Sequence, residues 1–159
     1  MTTDERVADC MDHMDAKDRY DCLKLENQLC FPLYACSKEI VRLYTPALRD
    51  LGLTYTQYIA MMVLWEKGSL SVSELGKCLY LDSGTLTPLL KKLEGKGFRT
   101  RQRSENDERS VIVSVTDSGM ALREMALEVR DKVGTCLGID SGDADTLYSL
   151  CYRILSRIQ

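Results

Sequence analysis

Helical periodicity runs through most of this chain of 159 residues and breaks at one place. Residues 111–115 read Val-Ile-Val-Ser-Val, a short β-branched run that suits a strand. Just upstream, Arg99, Arg101 and Arg103 alternate along 98–103, so a strand there puts all three on one face. The polar stretch 104–108 between the two strands reads as a hairpin tip. The chain is therefore mainly α with one small β-hairpin, and the order of helices around that hairpin decides the architecture.

Leu29, Leu33, Ile40, Val41, Tyr44 and Leu48 recur at three- and four-residue steps, which predicts a helix over 25–48 ended by Pro46 and Gly52. Thr54 is a candidate cap for a second helix over 55–66, apolar on most sides and so expected to be buried. Ser71 followed by Glu74 is a capping-box pair that opens a short helix over 71–79. A third helix spans about 82–96, with Asp82 or Ser83 as its cap, Leu86, Leu89, Leu90 and Leu93 as its apolar stripe, and Gly95 and Gly97 at its end. After Thr116 the helical period returns over 117 onward and again over 141–158. Residues 1–22 lack any hydrophobic period and read as a flexible N-terminal extension, leaving 23–159 as a single domain.

Two short helices joined by a tight turn and followed by a hairpin form a winged helix-turn-helix, here about 54–116. The second of those helices fits a major groove about 12 Å wide, with its N-terminal side chains toward the base edges. Those side chains are Ser83, Thr85, Thr87 and Pro88, with Lys91 and Lys92 further on and placed for phosphate. Net charge is −3, which excludes a generic nucleic-acid coat but not a specific reader. Residues 91–103 hold Lys91, Lys92, Lys96, Arg99, Arg101 and Arg103 against Glu94 alone, whereas 1–29 is acidic. A local cationic face is what duplex phosphate needs.

Seven cysteines occur, at 10, 22, 30, 36, 78, 136 and 151, with no CxxC and with His13 as the single histidine. The odd number and the spacing argue against a disulfide scaffold and against a zinc site, and no cofactor or metal is expected. Cys78 and Cys151 fall on apolar faces and are expected in the core. The chain has no run of about 18 apolar residues and no basic-then-apolar start, so a cytoplasmic protein off the membrane is expected.

Residues 70–116 resemble the MarR family of dimeric bacterial regulators, with Asp107-Glu108-Arg109 matching that family's wing motif. LENQLCFPLYACSKE (25–39) and LYLDSGTLTPLLKKLE (79–94) closely resemble the OhrR branch, the organic hydroperoxide-sensing repressors. The resemblance implies that Cys30 is the redox-sensing cysteine. It implies that Tyr34, Tyr44 and Tyr55 hydrogen-bond its thiol, the last two near the partner subunit. Ser83, Thr85, Thr87 and Arg109 are then the DNA contacts, with Asp107 orienting Arg109, and Cys136 is the candidate resolving cysteine. The homodimer, built on helices 24–48 and 117–158, would bind a pseudo-palindromic double-stranded DNA operator and release it when an organic hydroperoxide oxidises Cys30. Pro32 departs from the family's pattern: either the first helix begins near Cys30, where its dipole favours a thiolate, or it kinks there. Rival readings are a MarR-type repressor answering a small aromatic ligand, a thiol peroxidase, and a protein-interaction module; the absence of a general base near Cys30 weighs against the enzyme.

Overall fold

Residues 20–103 and 110–158 are described by the structure, a computed structural model. The chain divides into two units, Met1–Arg42 and Leu43–Gln159. In the first, two single 3-10 turns, Asp21–Leu23 and Leu25–Asn27, precede helix α1, Cys30–Asp50. Side-chain amides hold these turns: Asn27 Nδ2 donates to the Asp21 carbonyl at 2.8 Å, and Gln28 Nε2 donates to the Cys22 carbonyl. The expected start at residue 25 is thus corrected to Cys30. Pro32 explains the shift, because a residue without an N–H fits only a helix's first turn. Of the two alternatives for Pro32, the helix takes the one that begins at Cys30.

Pro46 does not end α1, contrary to expectation; the helix runs on to Asp50. A helix-interior proline costs about 3 kcal/mol. Full burial of an aliphatic side chain returns about 1.5–3 kcal/mol. Leu48 and Leu51, at 1% and 6% exposed, together offset the proline.

The second unit is organised by α2, Tyr55–Lys67, opened by a reciprocal capping box of Thr54 and Gln57. Ala60, Met61 and Leu64 are fully buried on it. Strand β1, Ser69–Ser71, leads into α3, Val72–Leu79, whose capping box pairs Ser71 with Glu74 as the spacing predicts. Helix α4, Ser83–Gly95, follows the turn, and β2, Arg99–Arg103, and β3, Val111–Val115, make the hairpin. The sheet order is β1-β3-β2, all antiparallel, with Leu70 opposite the fully buried Val113. Strand β1 escaped the sequence reading because three residues carry too little pattern; its pairing comes from β3. Two long helices close the chain, α5, Asp117–Leu137, and α6, Ser141–Ile158, and α6 buries no residue. None of these helices is long and apolar enough to cross a membrane, among the described residues.

Two glycines permit close approaches. A Cβ on Gly76 would stand 2.8 Å from the Leu81 carbonyl oxygen, so the turn between α3 and α4 closes only over a glycine. Tyr80 takes the left-handed conformation at that turn, φ 56°. Gly119 lies against the Phe98 carbonyl, and its own carbonyl accepts the Trp65 indole N–H at 2.7 Å. Gly119→Ala is expected to lower stability by about 1–3 kcal/mol, since backbone cannot yield as a side chain does. Urea unfolding of the two proteins measures it, and an unchanged midpoint would mean that α5 shifts freely against Phe98.

Candidate nucleic-acid interface and sensing cysteine

The leucine stripe predicted for the third helix sets the orientation of α4. Leu86, Leu89, Leu90 and Leu93 are buried, at 7% exposure or less, so the opposite face meets solvent. Ser83, Thr85, Thr87, Lys91 and Lys92 all lie exposed on it. Asp82 caps the helix by accepting the Thr85 N–H at 2.9 Å. The Thr85 side chain and backbone hold the Asp82 carboxyl below its ordinary value, so it is ionised beside the positive end of the helix. The Thr85 hydroxyl donates to Asp82 at 2.8 Å, and the Thr87 hydroxyl donates to the Ser83 carbonyl at 2.8 Å. Each threonine therefore offers a base edge a lone pair and a methyl group rather than a proton.

Two of the six cations in 91–103 do not join this face. Arg99 is 4% exposed; its Nε donates to the Leu90 carbonyl at 2.8 Å and its Nη2 pairs with Glu94 at 3.1 Å. Burial pulls its guanidinium below the ordinary value, opposed by Glu94, and its Nη1 has no hydrogen-bond partner among the described residues. Arg99 and Arg101 do share a face, but α4 covers it at the root of the wing. Lys96 turns toward the start of α2, donating to the Gly52 carbonyl and to Gln57 Oε1. A cleft of about 670 Å³ remains between α3, α4 and the wing strands, lined by Ser73, Ser83, Thr87, Lys91 and Arg101 among others. Asp107 and Arg109, expected at the hairpin tip, lie outside the described residues, as do Cys10 and His13.

In the first unit Cys30 is exposed as the first residue of α1, and Tyr34, one turn on, is 65% exposed. In the second unit Tyr44 and Tyr55 meet at 5.0 Å between ring centroids. The cluster extends to Tyr58, 5.9 Å from Tyr44, and then to Trp65, 6.0 Å from Tyr58. Sequence reasoning missed Tyr58, although its place three residues after Tyr55 was the available signal. Burial, and next the Tyr44 phenol, hold Tyr55 above its ordinary value. It is therefore a protonated donor at neutral pH. Cys136 is exposed on α5. Cys78 is exposed as well, with Lys67 Nζ 3.6 Å from its sulfur, which corrects its expected place in the core; Cys151 is half-buried. No three His, Cys, Asp or Glu side chains are grouped to hold a metal ion among the described residues.

Residues 42–125 match the family model described as transcriptional regulator SarA/Rot. The chain is 48% identical over 145 residues to the organic hydroperoxide resistance transcriptional regulator of Bacillus subtilis, covering 89% of this chain and 97% of that one. Reduced AbfR bound to DNA superposes with a TM-score of 0.73 at 31% identity, over 91% of this chain and 100% of that one. The disulfide form of AbfR, a Staphylococcus epidermidis protein, gives 0.57 at 31% identity, over 91% and 96%. The helix pair, its solvent-facing hydroxyls and the packed wing define a winged-helix transcriptional regulator. The chain belongs to the MarR family, in its OhrR-like branch.

Glu94 is 45% exposed whereas the Arg99 side chain is 3% exposed, so their loss is unequal. Glu94→Ala strands a buried cation; Arg99→Met leaves a carboxylate that water solvates. The first variant is expected to be less stable than the second by about 1–3 kcal/mol in thermal or urea unfolding. Equal losses would mean that Glu94 does not compensate the buried charge.

Proposed function

We propose that this protein is a cytoplasmic, homodimeric repressor that releases its operator when an organic hydroperoxide oxidises Cys30. The observation that carries this reading is Cys30 itself, exposed at the head of α1 in a chain of the OhrR-like branch. A thiolate attacks the peroxide; the O–O bond breaks, an S–O bond forms, and the alcohol leaves. Condensation of the sulfenic acid with a second thiol, Cys136 of the partner subunit, forms a disulfide and releases water. That a disulfide form exists for AbfR, the relative also solved reduced on DNA, supports this trap.

Tyr34, one helical turn after Cys30, and Tyr44 and Tyr55 of the partner subunit donate phenolic protons to the thiolate. The raised Tyr55 supports that donor role. Ser83, Thr85 and Thr87 read base edges, and Lys91 and Lys92 neutralise phosphates. Arg109, held extended by Asp107, enters the minor groove. Residues 24–48 and 117–158 form the dimer. Leu147, Leu150 and Ile154, each 40% exposed or more along α6, suit an isologous interface. A two-fold dimer sets two α4 helices about one DNA turn apart, hence a pseudo-palindromic operator.

The test is binding of the DNA upstream of the protein's own gene, before and after tert-butyl hydroperoxide, for wild type and Cys30→Ser. Oxidation is expected to weaken wild-type binding by about 5–150-fold. Cys30→Ser should hold the DNA under both conditions. Oxidised wild type bound as tightly as the mutant would overturn the switch. Replacing Thr87 with Val, which keeps the methyl and removes the lone pairs, should cost specific binding while sparing random duplex.

A further inference from the structure

Lys96 bridges the end of the recognition helix and the start of α2. It is the C-cap residue of α4, yet its side chain leaves that helix. Its ammonium donates to the Gly52 carbonyl and to Gln57 Oε1, the latter at 3.1 Å. Gln57 is 2% exposed, and the same Oε1 accepts the Thr54 N–H at 3.2 Å as one arm of the capping box. Tyr55, the first residue of α2, stands between those two capping residues and touches Tyr44. One cation thus joins the loop before α2, the capping box around Tyr55, and the last turn of α4. Its neighbours in sequence, Lys91 and Lys92, make no such internal bond among the described residues.

We propose that Lys96 is a positioning residue that holds the recognition helix in register with the Tyr44–Tyr55 end of its own protomer, so that displacement of Tyr55 is passed to α4. This rests on the redox-switch reading above. A buried amide oxygen with two donors is costly to strip of one, so Gln57 and Lys96 move together or the bond is lost. Tyr55 lies inside the turn that the Thr54–Gln57 capping box closes, so a backbone shift at Tyr55 disturbs that cap. Lys96 acts through Gln57 and not through DNA, although its position in a run of cations suggests a phosphate contact.

Salt dependence separates the two roles. A lost phosphate contact lowers the slope of log K against log salt by about 0.9. Operator affinity is measured across salt concentrations, reduced and after tert-butyl hydroperoxide, for wild type, Lys91→Met, Lys96→Met, Lys96→Arg, Gln57→Met and the double variant Gln57→Met/Lys96→Met. Lys91→Met should lower the slope. Lys96→Met should leave it unchanged while the ratio of oxidised to reduced Kd shrinks by about 2–30-fold. Lys96→Arg should restore that ratio, and the double variant should lose no more of it than either single variant. A slope reduced by about 0.9 in Lys96→Met overturns the proposal whatever the ratio does. So does an unchanged ratio, or additive losses in the double variant. Thermal unfolding checks each protein; should Lys96→Met fail to fold, Lys96→Gln carries the same comparison. A wild-type ratio near unity refutes the redox switch itself, and the coupling with it; a large wild-type ratio kept by Lys96→Met refutes the coupling alone.

Discussion

Burial of four leucines on one side of α4 is the constraint from which the proposed DNA-reading surface follows. Leu86, Leu89, Leu90 and Leu93 join one core with Met61, Leu64 and Leu75. Each contributes about 1.5–3 kcal/mol when fully buried. A single hydrogen bond on the outer face contributes about 0.5–1.5 kcal/mol net. The helix therefore cannot rotate to suit its polar residues; the polar residues take whatever face the leucines leave. That face carries Ser83, Thr85, Thr87, Lys91 and Lys92. The same core presses Gly76 against Leu81 and Gly119 against Phe98, closing the turn on one side and seating α5 on the other.

Charge is distributed by the same packing. A run of six cations in thirteen residues suggests one broad phosphate-binding stripe. Tertiary structure withdraws two of them for internal use. Arg99 locks the root of the wing to the last turns of α4, and Lys96 locks the end of α4 to the start of α2. Among the described side chains, what remains for the proposed phosphate contacts is narrower: two lysines on the helix, with Arg101 on the wing strand.

The proposed sensing cysteine and the proposed reading surface occupy different elements, and Tyr44, Tyr55 and Tyr58 of α1 and α2 lie between them in the chain. Tyr44 of α1 packs against Tyr55 and Tyr58 of α2, the helix that also supplies much of the core, and burial keeps the Tyr55 and Tyr58 phenols protonated. A switch requires two arrangements of such a cluster with different affinities for DNA. Rigid tethers at the edges of a well-packed unit are what convert a local displacement into a changed helix position, since a packed interior transmits strain rather than absorbing it.

Local pattern by itself determined the order of helices, the strand at 111–115, the Ser71–Glu74 capping box, Thr54 as a cap, and the leucine stripe of α4. These are local matters: a helix period, a cap and a β-branched run are read over a few residues. The block around Cys30 likewise carried the family in its own letters, and Pro32 already held the alternative in which the helix starts at Cys30. What only the tertiary structure decided depended on neighbours distant in the chain. Helix α1 passes Pro46 because Leu48 and Leu51 find a core. Three residues become β1 because β3 lies beside them. Arg99 and Lys96 turn inward, and Cys78 outward, because α4, Gln57 and Lys67 stand where no local pattern could place them. A side chain's type and spacing say what it is able to do; the partner that reaches it across the fold says which of those things it does.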